Sequence, residues 1–379
     1  MKFIHLSDLH IGKKVNDFSM MEDQKHILSQ IIDIIDEQKA EGVWIAGDIY
    51  DRAIPSAEAV QLFDDFLTKL AKRHLPVFAI SGNHDCAERV AFGARLMDTC
   101  GVHMAPVYDG HITPVILEDD YGELAIYQLP FLRPAIVRHI YEDEAPAIAT
   151  YQDAVRVAVE HMQIDKNRRN VLLSHQFVTG AALSDSEEII VGGMDNIDSS
   201  IFDSFDYVAL GHIHHAQSVS RDTIRYCGTP LKYSFSEVNH TKYAVLVTLA
   251  KKGDIQIEEI PLTPLHDFQE IKGSYEEVTA RDFYKDMATD DYMHITLTDE
   301  EDIPDVIGKL RTIYPNIMKL DYDNTRTRKN QSIEHTDITR KLCPLELLQE
   351  FYELQNNRPM NKEQTDYVNK LIENIWEVS

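Results

Sequence analysis

The sequence predicts an α/β protein: a two-sheet sandwich flanked by helices, followed by a smaller α/β domain and C-terminal helices. Three observations predict this fold class. Apolar segments of strand length alternate with amphipathic segments of helix length in the first part of the chain, strand-like segments dominate the middle, and the alternation restarts near His266. A chain of 379 residues also exceeds what one hydrophobic core usually serves, so more than one domain is expected.

The first part of the chain predicts strands that each run into a polar loop. "KFIHLS" (Lys2–Ser7) predicts a strand, and residues 20–40 predict a helix whose isoleucines recur along one face. "GVWIAGD" predicts a second strand, after which Pro55 and Ser56 open a helix that extends to about Arg73. "PVFAISGNHD" repeats the strand pattern. This order is typical of an α/β domain.

The middle and the end of the chain predict two packed sheets and then a second domain. Six strand-like segments occur in the middle: "HITPVIL", "ELAIYQL", "NVLLSHQ", "DYVALGH", "IRYCG" and "KYAVLVTL". After them, "YMHITLTD", "IPDVIGKLRTIY" and "IMKLDYD" predict a small β-α-β unit. The predicted domains are a catalytic domain at 1–265, a small α/β capping domain at 266–325, a polar linker at 326–343 and C-terminal helices at 344–379.

Composition excludes several classes of protein. No apolar run approaches the ~18 residues of a membrane span, and polar residues interrupt the first ten positions before a signal-peptide core can form, so a cytoplasmic protein is expected. The four cysteines form no C-x-x-C pair, which argues against a disulfide framework and a zinc knuckle. The formal net charge of -26 means that any contact with nucleic acid must be local.

Polar side chains with chemical potential follow five predicted strands. They are Asp8 and His10; Asp48 and Asp51; Asn83, His84 and Asp85; His175; and His212 and His214. Loops at the carboxyl ends of strands in α/β sheets are where sites assemble, because a rigid sheet holds them close together. Aspartate and asparagine also end strands simply as turn formers. That alternative accounts for one such segment comfortably and for five poorly.

The combined set of donors predicts a metal site. Three residues offer oxygen and four offer imidazole nitrogen: Asp8, Asp48 and Asn83, and His10, His175, His212 and His214. Two divalent ions about 3.5 to 4 Å apart that share one carboxylate use such a set for phosphoryl displacement. Mixed nitrogen and oxygen ligands suit manganese, iron or zinc better than calcium. A catalytic site with two divalent ions is therefore predicted.

The order of these motifs resembles a known superfamily. D-x-H, G-D-x-x-D-R, G-N-H-D, a lone strand-end histidine and G-H-x-H occur in this order in the calcineurin-like metallophosphoesterases. The segments "YQLPFLRP", "ALGHIHHAQ" and "IRYCGTPLKYSFSE" resemble its DNA-repair nucleases, relatives of the eukaryotic meiotic-recombination nuclease. The resemblance covers Met1 to about Leu262 and extends more weakly through the small domain, which it implies to be DNA-binding.

This resemblance implies a role for each site residue. It makes Asp8, His10 and His214 the ligands of a first ion and Asn83, His175 and His212 those of a second, with Asp48 bridging two Mn²⁺ ions. His84 would be the general acid that protonates the leaving oxygen, and Asp51 would hold its imidazole in place. His215, whose side chain is expected to point away from its neighbours along an extended segment, is predicted to be a packing or surface residue.

Four basic residues are candidates for substrate binding. Arg52 follows Asp51 in a phosphatase-like motif, where it would clamp a phosphate, and a surface ion pair explains it equally well. Lys13, Lys14 and Arg89 lie near the motifs and could contact the DNA backbone. Each is also explained as an ordinary solvated charge.

The resemblance implies a nuclease subunit with partners. It predicts a double-strand 3′-5′ exonuclease and single-strand or hairpin endonuclease, dimeric within a heterotetramer. The chain contains no G-x-x-x-x-G-K-[ST] motif, so it is not expected to hydrolyse ATP itself. The resemblance implies that an SMC-like coiled-coil ATPase supplies this function and docks on the C-terminal helices, and the expected contact face contains Leu347, Leu348, Phe351 and Tyr352. Those helices could equally pack on the protein itself. The alternatives are a phosphatase or small-nucleotide phosphodiesterase, and a DNA-end-binding scaffold with a vestigial site.

Overall fold

A computed structural model describes residues 1–182 and 196–325, and after them positions 327–328, 345, 348–349, 352, 360–365, 367–368 and 371. The chain divides into two compact units, Met1–Phe268 and Gln269–Ser379. Most of the predicted linker and most of the predicted C-terminal helices, including Leu347 and Phe351, lie outside the described residues. Within the residues described, no helix has both the length and the apolar character that spanning a bilayer requires.

The elements follow one another in the order that the alternating sequence pattern suggests. The first are β1 (Lys2–Leu6), β2 (Lys14–Val15), β3 (Phe18–Ser19), α1 (Met21–Gln38), β4 (Gly42–Ala46), α2 (Ala57–Ala71), β5 (Val77–Ile80), α3 (Ala87–Val90), α4 (Ala94–Met97) and β6 (Val102–Met104). The next are β7 (Val115–Asp119), β8 (Gly122–Leu129), α5 (Pro134–Ile140), α6 (Tyr151–Glu160), β9 (Arg169–His175), β10 (Tyr207–Gly211), β11 (Gln217–Val219), β12 (Arg221–Tyr226), β13 (Lys242–Leu249) and β14 (Ile255–Leu262). The last are β15 (Phe268–Gly273), α7 (Tyr275–Thr279), α8 (Arg281–Tyr284), β16 (Tyr292–Leu297), α9 (Val306–Leu310) and β17 (Ile317–Tyr322).

Two six-stranded sheets form the first unit. Their strand orders are β14-β13-β1-β4-β5-β6 and β11-β12-β10-β9-β8-β7. Large apolar side chains fill the space between the sheets, and Trp44 stacks there on Phe3 at 4.5 Å and on Tyr207 at 5.5 Å between ring centroids. Because both faces of β4, β9 and β10 are covered, these strands are buried throughout. The predicted two-sheet sandwich is confirmed.

The outer face of the second sheet is covered by α5 and α6. Successive side chains of β8 point to opposite faces of the sheet. Leu124 and Ile126 face the space between the sheets, while Ala125 and Tyr127 pack in the cluster that includes the helices. The first turn of α6 is closed by a capping box, in which Thr150 and Asp153 bond each other's main-chain N–H groups. This helix, and the edge strand β14, were not predicted from the sequence.

The second unit is built on the three-stranded sheet β15-β16-β17, whose last two strands are parallel. The helix predicted over residues 303–314 is much shorter, and α9 spans only Val306–Leu310. Asp305 has a left-handed backbone with φ of 50° directly after Pro304, so the helix cannot begin earlier. The strand predicted over 111–117 likewise begins only after Pro114, at Val115.

Strand direction brings the polar loops to one edge of each sheet. In the first sheet β1, β4 and β5 are parallel neighbours, and in the second β9 and β10 are parallel neighbours. Their carboxyl ends therefore emerge together, and all five loops singled out in the sequence follow these strands.

Candidate metal centre

Strained backbone marks the loops at this edge. Four of the predicted ligands have positive φ angles: 51° at Asp8, 44° at His10, 49° at Asp48 and 105° at His212. Such conformations cost on the order of 1 to 3 kcal/mol at a non-glycine residue and persist only where the surroundings enforce them. Here the Asp8 N–H donates to Gly47 O at 3.0 Å and the His10 N–H donates to Asp48 O at 3.0 Å. The two loops therefore hold each other in the conformation that directs these side chains inward.

The first group of converging side chains contains Asp8, His10 and His214. All three are buried, and their potential ligand atoms lie within 4.8 Å of one another. The Nε2 atoms of His10 and His214 face each other at 3.1 Å. The Asp8 carboxylate accepts the main-chain N–H of His212 at 3.0 Å, which ties the first sheet to the second.

The second group converges on the amide oxygen of Asn83. His175 Nε2 lies 3.0 Å from Asn83 Oδ1, and His212 Nδ1 lies 2.9 Å from the same atom. The other nitrogen of His175 donates to Ala46 O at 2.8 Å. Such a bond fixes the tautomer and leaves Nε2 free to act as a ligand.

Asp48 lies between the two groups. Its Oδ2 is 3.3 Å from His175 Nε2, 3.8 Å from His10 Nε2 and 4.0 Å from His84 Nε2. Its Oδ1 accepts the main-chain N–H of His84 at 2.9 Å. Because the Asp48 carboxylate faces ligand candidates from both groups, it has the position that a bridging ligand requires.

Close packing between the sheets makes this arrangement possible. A Cβ atom at Gly211 would lie 1.9 Å from Ala46 O and 2.7 Å from His175 Nδ1. Only glycine fits there, and it lets the strand that leads into His212 touch the strand that leads into Asp48.

Burial and mutual charge set the protonation of the site. Burial raises the pKa of Asp8 to about 7, and it lowers the pKa values of His10 and His214 well below the usual range. For His175 burial acts in the same direction, but the Asp48 carboxylate outweighs it and raises the pKa to about 9. Burial likewise opposes ionisation of Asp48, yet His175 and His10 hold the pKa of that carboxyl below its ordinary value.

These residues fit a pair of divalent ions. Two neutral imidazoles whose nitrogens face each other at 3.1 Å, beside buried carboxylates, form the kind of lone-pair cluster that a cation stabilises. The described residues of this cluster include no thiolate. The donor set therefore suits ions such as Mn²⁺.

His84 lies at the rim of the cluster, with 15% of its side chain exposed. Its Nδ1 is 3.1 Å from the main-chain O of Asp51. The sequence predicted that Asp51 would hold this imidazole, but the contact runs through the main chain. The Asp51 carboxylate instead accepts from Lys13 Nζ at 2.8 Å, and it lies 4.0 Å from His10 Nδ1.

The other predicted substrate-binding residues lie farther out. The Arg52 side chain is 78% exposed and lies 3.6 Å from Asp51. Lys14 on β2 and Arg89 on α3 are exposed, and in the described part of the chain neither forms a hydrogen bond or ion pair with a predicted ligand. His215 packs against His240, with 4.4 Å between ring centroids.

Sequence reasoning assigned no role to the residues that brace the ligand loops. Asp85 accepts the N–H groups of Ile49, Tyr50 and Gly82 at 2.9 to 3.0 Å, which joins the loops of Asp48 and Asn83. Tyr233 donates to Leu9 O at 2.7 Å. Gln24 donates to His10 O at 2.8 Å and accepts from Gly12. The G-N-H-D motif contained a signal for Asp85, but no local pattern connects residues 24 and 233 to the site.

The sandwich and the cluster of carboxylates and imidazoles at its edge define a metallophosphoesterase. A family model described as calcineurin-like phosphoesterase matches residues 1–216. Over 376 residues the chain is 32% identical to the SbcD subunit of the nuclease SbcCD from Staphylococcus epidermidis, covering 98% of each chain. The chain therefore belongs to the calcineurin-like phosphoesterase family and, within it, to the SbcD nucleases. This membership confirms the predicted class of metal-dependent phosphodiesterase.

One further family model and two solved structures are also similar to parts of this chain. The family model SbcD_C, described as type 5 capsule protein repressor C-terminal domain, matches residues 264–356. A dimetal phosphatase from Danio rerio is 11% identical, covers 70% of this chain and 98% of its own, and has a TM-score of 0.45. The protein TT1561 of Thermus thermophilus is 10% identical, covers 68% of this chain and 98% of its own, and has a TM-score of 0.39.

Metal affinity is expected to rise with pH between 6 and 8. Ligation needs neutral His175 and ionised Asp8, whose pKa values in the free site are raised to about 9 and about 7, so binding must displace protons below those values. Each proton displaced on binding makes the metal affinity rise by roughly a further tenfold per pH unit. Calorimetric titration with Mn²⁺ in buffers of different ionisation enthalpy measures both affinity and proton release. An affinity that is constant over this range would contradict the assigned protonation.

Proposed function

We propose that this protein is a DNA nuclease that hydrolyses phosphodiester bonds with two divalent ions, expected to be Mn²⁺. One observation carries the proposal. The ligand atoms of seven predicted residues converge from five strand ends, in a chain that aligns over 98% of its length with a nuclease subunit. A phosphatase would need only the first unit. The alignment with the SbcD subunit and the match to the SbcD_C family model both extend into the second unit.

The site residues take distinct roles in this proposal. Asp8, His10 and His214 would hold one ion, Asn83, His175 and His212 the other, and Asp48 both. Two ions bound there would lower the pKa of water to make hydroxide available and neutralise charge on the phosphate oxygens. The left-handed backbone at four of these residues pre-organises the donors, so little reorganisation is needed during the reaction.

His84 is the proposed general acid. Its Nδ1 lies against a main-chain carbonyl oxygen, which can only accept a hydrogen bond. Nδ1 must therefore carry the proton that it donates, and Nε2 is the nitrogen that exchanges a proton. Its position at the exposed rim suits transfer to the leaving sugar oxygen. Asp51 contributes as a positioning residue through its carbonyl, while its carboxylate orients Lys13.

DNA backbone contacts would be local, because the net charge of -26 repels nucleic acid at a distance. Lys13 is half-buried beside the site and stands over the Tyr233 ring at 5.6 Å from its centroid, so it can face a phosphate near the ions. Exposed Arg52, Lys14 and Arg89 would position the backbone farther along without reading sequence.

The proposed biological setting is supported by the similarity to an SbcCD subunit. We propose double-strand 3′-5′ exonuclease and single-strand or hairpin endonuclease activity together with the ATPase SbcC, in DNA repair, recombination and replication, at the nucleoid in the cytoplasm. The small domain at 266–325 would contact DNA. The helices at 344–379, with Leu348 and Tyr352 among their few described residues, would bind SbcC.

A labelled DNA hairpin incubated with the purified protein and Mn²⁺ tests the proposal. We expect cleavage that a chelator abolishes and Mn²⁺ restores. Release of phosphate from small esters without any DNA cleavage would favour a phosphatase. Absence of both activities, with no bound metal, would favour an end-binding scaffold.

A homodimer is also proposed, and its face is expected to include two exposed apolar side chains. Phe92 is 84% and Leu96 77% exposed, which is unusual for residues of this size, and both lie in the segment of α3 and α4. Replacing both with aspartate is expected to convert a dimer to a monomer in light scattering. The same change at Ile116 and Tyr121, which are exposed elsewhere, is the control. A dimer unaffected by the Phe92 and Leu96 changes would exclude this face.

A further inference from the structure

A buried ion pair lies directly behind one predicted ligand. Lys242 is the first residue of β13, and only 6% of its side chain is exposed, while Glu237 is fully buried. The two side chains form an ion pair. Burying two charges is costly unless both are well satisfied, so the contacts that satisfy them indicate what the pair does.

The lysine also donates to the main chain of His214 and to the side chain of Thr229. Lys242 Nζ donates to His214 O at 2.9 Å and to Thr229 Oγ1 at 2.8 Å. Thr229 in turn donates its N–H to His214 O at 3.2 Å and its hydroxyl to the same oxygen at 3.4 Å. Three donors from two residues therefore converge on one carbonyl.

The segment before Thr229 is pressed against the same loop. A Cβ atom at Gly228 would lie 2.7 Å from His214 O and 2.9 Å from Ala216 N. No other residue fits without moving the histidine loop. Residues 228–229 and Lys242 thus clamp the His214 backbone from one side, while His214 Nε2 faces His10.

We infer that Lys242 and Glu237 are a positioning pair that sets the direction of the His214 imidazole and, through it, the affinity of the ion held by Asp8, His10 and His214. The inference rests on the proposed two-ion function. Glu237 is needed as well as Lys242, because an uncompensated ammonium so close to a divalent ion would repel it.

The effect should be confined to one ion. Other contacts hold the second ion's ligand loops, since His175 Nδ1 donates to Ala46 O, and Asp85 joins the loops of Asp48 and Asn83. Removing the pair is therefore expected to weaken binding of the first ion and to leave the affinity for the second ion unchanged.

The test is a Mn²⁺ titration of the full chain by calorimetry, with electron paramagnetic resonance to detect spin coupling between neighbouring ions. The variant is K242M/E237L, which removes both charges together and replaces them with apolar side chains. We expect one ion to bind as in the wild type and the other to bind about 10- to 100-fold more weakly, the range typical for lost partners of metal ligands. The coupled signal should give way to that of a single Mn²⁺.

Two further variants keep the inference testable. T229V removes one donor to His214 O without changing charge, and a smaller loss for the same ion is expected. D119N is the control, because it breaks the ion pair of the buried Arg169, at the opposite end of β9 from His175. It should lower the unfolding temperature and leave both ions bound.

The outcomes separate this inference from the proposed function. Unchanged binding of both ions by K242M/E237L, or by T229V if the double variant does not fold, would overturn the positioning role and leave the function intact. Equal weakening of both ions, or weakening by D119N, would show a general loss of structure and would also overturn it. A wild type that binds fewer than two ions would instead refute the two-ion function.

Discussion

Replacing Asp48 with asparagine is expected to abolish tight binding of both ions and to reduce DNA cleavage to the level of the metal-free protein. The Asp48 carboxylate lies within 4.0 Å of nitrogens from His10, His175 and His84, so it faces ligand candidates from both groups. The asparagine side chain lacks the negative charge of Asp48 but has nearly the same shape. We expect a loss of roughly 10³-fold or more in kcat/KM, at least as large as removal of a single charge-stabilising donor causes.

Metal content by elemental analysis and cleavage of a labelled hairpin measure this effect. Asp51→Asn is the matched control, because it makes the same chemical change in the same loop, at a carboxylate whose closest partner is Lys13. The control should retain both ions. Two ions retained by Asp48→Asn would exclude the bridging role.

Replacing His84 with alanine is expected to lower kcat for DNA by about 10²- to 10⁴-fold, the usual contribution of a general acid. Metal binding should be unchanged, since the imidazole lies at the rim and bonds the main chain of Asp51. The sugar oxygen of DNA is a poor leaving group and needs a proton as the bond breaks. A nitrophenolate is a stable anion and leaves without being protonated.

Comparison of two substrates therefore isolates proton transfer. The His84→Ala variant should cleave bis(p-nitrophenyl) phosphate nearly as fast as the wild type while it loses most activity on DNA. His215→Ala, at a histidine that packs on His240, is the control and should leave both activities intact. An equal loss on both substrates would mean that His84 stabilises the phosphate instead of protonating the leaving oxygen.

The sequence contained enough information to place the candidate ligands, and the reason is geometric. Parallel neighbouring strands share the direction of their carboxyl ends, so polar residues after β1, β4 and β5 meet at one edge of the first sheet and those after β9 and β10 at one edge of the second. Residue type then limited the chemistry. Nothing comparable exists for Lys242 or Gln24, whose contacts depend on how two sheets and a helix pack.

Main-chain contacts are the other feature that a sequence pattern does not show. The sequence predicts that Asp51 holds the His84 imidazole, but it does not indicate which group of Asp51 makes the contact. The carbonyl that meets His84 belongs to every residue type, so no pattern marks it. The short α9 has a similar cause, since the apolar spacing over 303–314 suits a helix and only the backbone at Asp305 prevents one.

The bond between the Asp8 carboxylate and the His212 N–H joins residues separated by 204 positions, and the facing nitrogens of His10 and His214 are equally distant in sequence. During synthesis on a ribosome, Asp8 and His10 emerge long before His212 and His214, the histidines that complete the cluster. Contacts of such long range form slowly and late. The nascent protein therefore cannot assemble the full cluster until the second sheet has been made, so its ability to cut phosphodiesters is acquired near the end of folding.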